Sequence, residues 1–103
     1  MEEKLLKIIN HYGVMKQLKY FQSEVFELNE SIIRLEEAKY NYFEAYDDKE
    51  ADKLYQHIAE EIADVMVMLS QFKEHYKIDG NEILRIMNKK IDRQLERIEN
   101  ENN

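Results

Sequence analysis

The chain has 103 residues, 36% of them charged, with a formal net charge of −7, no Pro, no Cys and two Gly, Gly13 and Gly80. That length holds one domain with a modest core, residues 1–103, and the scarcity of turn-formers excludes a sheet-rich fold in favour of long helices with solvated faces. The absence of Cys excludes disulfides and thiolate metal sites, the acidic balance excludes a broad nucleic-acid face, and no apolar run approaches the roughly 20 residues that cross a bilayer.

The N-terminal segment MEEKLLKIINHYG has neither the basic start nor the cleavage region of a signal peptide. A cytoplasmic protein that binds neither nucleic acid nor membrane is expected. Residues 2–11 carry Leu5, Leu6, Ile8 and Ile9 on an amphipathic helix that stops at His11, Tyr12 and Gly13. From Val14 the apolar residues Leu18, Phe21, Val25, Leu28, Ile32 and Leu35 recur at threes and fours, which predicts a long helix to about Ala45.

The aromatic, acidic segment 39–55 contains Asp47 and Asp48, residues that break one helix and cap the next, so a loop is expected near 46–50. A third helix follows over about 50–76. In DGNE, residues 79–82, Asp79 and Glu82 have capping-box spacing and start a fourth helix that runs to about 99, with a polar, frayed tail over about 100–103. The expected fold is an all-α antiparallel bundle of one short and three longer helices.

In HIAEEIADVMVML, residues 57–69, Ile58, Ile62, Val65 and Leu69 align with Phe72 as an apolar stripe, yet Glu61 falls within the arc and Asp64 at its edge. A carboxylate among apolar neighbours needs a hydrogen bond, a cation or a metal. Residues three apart share a helix face, so Glu61 with Asp64, and Glu24 with Glu27, form two-carboxylate claws. Similar spacing at Glu27 with Glu30, Glu44 with Asp47, and Glu96 with Glu99 reads as solvated helix surface. The apolar setting distinguishes Glu61 and Asp64; Glu24 lies at the margin of its helix's stripe and Glu27 beyond it. Four converging carboxylates become favourable on a hard divalent cation, Mg²⁺ first, with Mn²⁺ as a substitute.

The motifs GVMKQ (13–17), SEVFE (23–27), EEIADV (60–65) and NKKIDR (88–93) occur in an order that resembles the MazG-like branch of the all-α nucleoside triphosphate pyrophosphatase superfamily. The resemblance implies Mg²⁺-dependent hydrolysis of a nucleoside triphosphate to the monophosphate and pyrophosphate. It also implies metal ligands at Glu24, Glu27, Glu61 and Asp64, which would be the catalytic set, phosphate contacts from Lys90 and Arg93 with Asn88 beside them, and a homodimer or homotetramer. Three features depart from the family pattern. Ser23 stands where the first acidic residue of an EExxE motif is expected, Ile91 where an aromatic residue is common, and the stretch between Glu27 and Glu61 is long. Ser23 keeps a second expectation in view, a non-catalytic interaction or nucleotide-binding protein with the same fold.

His11, His57 and His75 lack ligand spacing and read as surface or boundary residues. Tyr40, Tyr42, Phe43, Tyr46 and Tyr55 are candidates for a nucleobase pocket, with a subunit interface the expected role. Met15, Met66, Met68 and Met87 read as core filling.

Overall fold

The Pro-free, charged chain winds into four α-helices in a computed structural model that describes residues 1–41 and 48–102. They are α1 (Glu2–Tyr12), α2 (Val14–Asn41), α3 (Asp48–His75) and α4 (Gly80–Asn102), with no strand among the described residues. None of these helices is long and apolar enough to cross a membrane. The expected continuation of α2 to Ala45, the aromatic residues Tyr42, Phe43 and Tyr46, and the break at Asp47 lie outside the described residues. Residues 48–50, expected in a loop, are helical; Asp, Lys and Glu in a first turn before Ala51 suit a helix start.

Gly13 ends α1 with φ 89° and ψ 151°, and its N–H donates to Ile9 O over 2.8 Å. That backbone region is essentially closed to residues with a Cβ. A Cβ at Gly13 would meet nothing within 4 Å, so the constraint is in the backbone and not in packing. Gly13→Ala is therefore expected to lower unfolding free energy by about 1–3 kcal/mol, read as a lower urea midpoint with an unchanged slope. α3 ends on Lys77 at φ 56°. Ile78 N–H donates to Lys73 O and Lys77 N–H to Glu74 O, a Schellman closure that usually employs Gly.

α2 and α3 make the main packing contact, and α1 lies on this hairpin, chiefly on α3. Leu5 and Ile9 anchor α1, and Phe21 meets Phe72 edge-on at 5.8 Å between α2 and α3. The seam between the two long helices is unusually polar. Its α2 side buries Gln17, Glu24, Ser31 and Leu35, and its α3 side buries Glu61, Met68 and Gln71. Leu18, Val25 and Ile32 on α2, and Ile62 and Leu69 on α3, were expected in the core but are exposed. The buried line runs one helical position aside from the apolar stripe. Of the methionines expected as filling, Met68 is buried, whereas Met15, Met66 and Met87 are exposed.

α4 starts as expected at Asp79, although the Asp79 side chain caps the helix one residue short of the capping-box position and the reciprocal Glu82 bond does not form. Asp79 Oδ1 accepts from the Asn81 N–H at 3.1 Å, while the Glu82 carboxylate pairs with Arg85. The helix continues to Asn102, beyond the expected fraying point, because no Gly or Pro interrupts its propagation. It buries no residue and makes no extended contact with the other helices among the described residues. The radius of gyration, 18.0 Å, accordingly exceeds the about 13 Å of a compact chain of this size. Three helices pack together and the fourth presents an uncovered amphipathic face.

Candidate metal centre

Glu24 and Glu61 face each other across the polar seam, one from α2 and one from α3, at 5% and 7% exposure. Each has one carboxylate oxygen, Oε2, buried without a hydrogen-bond partner among the described residues. Asp64, one turn beyond Glu61 and exposed, completes a group whose ligand oxygens all lie within 4.8 Å of one another. Oxygens on opposite sides of a bound Mg²⁺ sit about 4 Å apart, so these three need only a small inward movement to share one such cation. An all-oxygen set with orphaned buried charge fits a hard divalent ion; it does not fit an ion that prefers sulfur or imidazole.

The electrostatics match that description. Burial raises the Glu24 pKa above the ordinary carboxylate value, a hydrogen bond from Tyr20 works against the rise, and the negative charges of Asp64, Glu27 and Glu61 add to it. The Tyr20 phenol is correspondingly raised, first by its hydrogen bond to Glu24. His57 Nε2 stands 3.5 Å from Glu61 Oε1 on the exposed side of the helix, a closer role than a boundary histidine suggests.

Glu27, expected as a fourth ligand, is exposed and stands outside the three-carboxylate group, close enough to act on Glu24 through its charge. It borders a hollow of ≈ 270 Å³ with Glu61, Arg34 and His57. Asn88, Lys90 and Arg93 lie exposed on α4 and line none of the clefts at the carboxylates. Tyr40 and Tyr55 are exposed, with Lys39 Nζ 5.6 Å from the Tyr55 ring centre.

Other residues take the places at the site. Asp64 opens on a cleft of ≈ 690 Å³ between α1 and the α2–α3 hairpin, bordered by Lys16, Lys19, Tyr12, Tyr20 and Ser23. Lys16 Nζ lies 5.3 Å from the centre of the Tyr12 ring. Ser23 donates its hydroxyl to Lys19 O at 3.4 Å, so a neutral group stands where a further carboxylate would repel an anion. Apolar and acidic patterning does not mark these two lysines. For Lys16 the signal is spacing, since Lys16, Tyr20 and Ser23 recur at four and three, one position behind Gln17 and Glu24, whereas Lys19 stands outside that pattern.

No family model matches this chain, and no curated protein and no solved structure matches it.

Proposed function

We propose that the protein is a Mg²⁺-dependent nucleoside triphosphate pyrophosphohydrolase of the cytoplasm, acting on an NTP or dNTP as a homodimer or homotetramer. The observation that carries this reading is the pair of buried carboxylates, Glu24 and Glu61, whose Oε2 atoms have no hydrogen-bond partner among the described residues and which group with Asp64. The motif order that resembles the MazG-like branch supports it, and so does a cleft with cations and aromatic rings next to the acids.

Glu24, Glu61 and Asp64 would hold Mg²⁺, which when bound neutralises phosphoryl oxygens and polarises the bond that breaks. Lys16 and Lys19 on the cleft wall would attract the triphosphate and offset charge that develops on the leaving pyrophosphate. Tyr20 would donate to Glu24 and so orient its carboxylate. Asp64, the exposed member, is the carboxylate best reached by water and would accept its proton as water attacks phosphorus. The products balance as one nucleoside monophosphate and one pyrophosphate per water consumed.

A second copy is part of the proposal, because two apolar surfaces stand uncovered. One is the α4 face with Leu84, Met87, Ile91, Leu95 and Ile98; the other is the flank with Leu18, Val25, Ile32, Ile62 and Leu69. Exposed apolar surface on this scale marks an association site. An assembled form also gives Lys90 and Arg93 a route to a neighbour's substrate phosphates. Light scattering at micromolar concentration is expected to give at least twice the chain's 12.6 kDa; a monomer mass would remove this element.

Ser23 favours a second reading, a nucleotide-binding protein without turnover, since it removes one acidic group from the cleft. A panel of nucleoside triphosphates assayed for pyrophosphate release separates the two. The first reading expects equimolar monophosphate and pyrophosphate in Mg²⁺ and none in chelator. Nucleotide binding with no release from any member of the panel would leave the second.

A further inference from the structure

The polar seam contains a buried amide pair that the chemistry at the carboxylates does not use. Gln17 donates its side-chain N–H to Gln71 Oε1 over 2.8 Å, linking α2 to α3, and the two residues are 6% and 2% exposed. Among the described residues, Gln71 Nε2 has only the Met68 sulfur, at 3.7 Å, as an acceptor. Thioether sulfur is a weak acceptor, and each amide offers two donor hydrogens and a carbonyl with two lone pairs. The Gln17 carbonyl oxygen accepts from no protein donor among the described residues. Two well-buried amides are thus left with hydrogen-bonding capacity, and both border the ≈ 690 Å³ cleft that reaches Asp64.

The Gln17 carbonyl oxygen is not among the buried partnerless atoms of the described residues, so it is open to the cleft, where water or a ligand completes its bonds. The cleft indicates what kind of ligand: Tyr12 and Tyr20 offer aromatic faces, Ile8, Val67 and Met68 an apolar wall, and the lysines share the cleft with Asp64. Planar, apolar-faced and edged with donors and acceptors, a nucleobase matches these surfaces.

We propose that Gln17 and Gln71 read the nucleobase edge, the Gln17 carbonyl accepting from the base and a Gln71 N–H donating to it. The Gln17-to-Gln71 hydrogen bond between two rigid helices orients both amides before a ligand arrives, so a base with the wrong edge loses bonds to them instead of being accommodated. This assignment rests on the nucleotide reading above and adds where base selectivity resides.

The test is calorimetric titration of the full chain, in Mg²⁺, with AMP, GMP, CMP, UMP and ribose 5-phosphate. The parent is expected to separate its best and worst base by at least about tenfold. Gln17→Leu/Gln71→Leu removes both amides together and strands neither, so the helices are kept. Its affinities for the four nucleotides should fall within about twofold of one another, approaching that for ribose 5-phosphate. Gln17→Glu is the second variant, for use should the double one unfold. This single substitution sets an acceptor opposite Gln71 Oε1, so the Gln71 amide turns to donate to it and presents its own carbonyl to the base, which shifts preference by about tenfold towards bases with an exocyclic amino group. An unchanged base ranking in either folded variant, or equal parental affinity for all four nucleotides, would overturn the assignment alone. A parent that binds none of the nucleotides and releases no pyrophosphate would instead overturn the nucleotide reading, and this assignment with it.

Discussion

Asp64→Asn is expected to lower Mg²⁺-dependent pyrophosphate release by at least about 100-fold while leaving the metal-free melting temperature close to the parent's. The two halves of this result have different causes. Asp64 offers one oxygen to the three-carboxylate group proposed to hold the cation, so converting it to an amide removes charge where the cation and the attacking water would meet. Its side chain is exposed, so little buried charge changes and the apo fold is nearly indifferent. The parent should also gain stability from Mg²⁺ by mass action, about 2.7 kcal/mol when free ion is 100 times its Kd, and the variant should lose most of that gain. Paired steady-state assays and thermal melts read both. A variant that keeps its turnover would remove Asp64 from the chemistry, and one that melts far below the parent in chelator would make it a structural residue.

Glu24→Gln is expected to raise the melting temperature of the metal-free protein at neutral pH. The Glu24 carboxyl is held above its ordinary pKa, foremost by burial and then, against the Tyr20 hydrogen bond, by neighbouring negative charge. A carboxyl raised on folding contributes stability that is complete below its unfolded pKa and is lost as pH rises through the folded value. At neutral pH the charged form is therefore a burden on the fold, and the amide relieves it. A relief of about 1 kcal/mol corresponds to roughly 4–8 °C in a domain of this size. The parent's stability relative to the variant should recover as pH falls from neutral towards the unfolded carboxyl pKa of about 4.3. A structural ion pair predicts the opposite, since removing one partner of a buried pair costs about 3–5 kcal/mol. Melts in chelator across that pH range distinguish the two, and a variant that melts lower throughout would count against a metal site.

The sequence made the helices largely legible, and the buried carboxylate on α3 with them. Gly13 after a periodic segment marks the end of α1, and Glu61 inside an apolar arc is buried. The polar seam on α2 was harder to see. Hydrophobic periodicity picks out a face that will be covered by something, and on α2 it picked out Leu18, Val25 and Ile32, which remain exposed within one chain. Gln17, Glu24 and Ser31 also recur at seven-residue spacing, a regularity hidden by a search for apolar residues alone. The same ambiguity affects α4, since an amphipathic pattern does not say whether its cover comes from the same chain. Lys77 carried no turn signal because the left-handed position it occupies usually selects Gly or Asn. The placement of Asn88, Lys90 and Arg93 near the acids came from motif order, which carries no information about where α4 leaves the packed helices.

The most direct measurement is Mn²⁺ titration of the metal-free protein followed by electron paramagnetic resonance, which counts free ion without requiring substrate or turnover. One site per chain is predicted in the parent, displaced by Mg²⁺, and weakened at least about tenfold in Glu24→Gln and in Asp64→Asn. Mn²⁺ left free in the parent at millimolar concentration, or bound equally by parent and both variants, would contradict a metal centre at Glu24, Glu61 and Asp64.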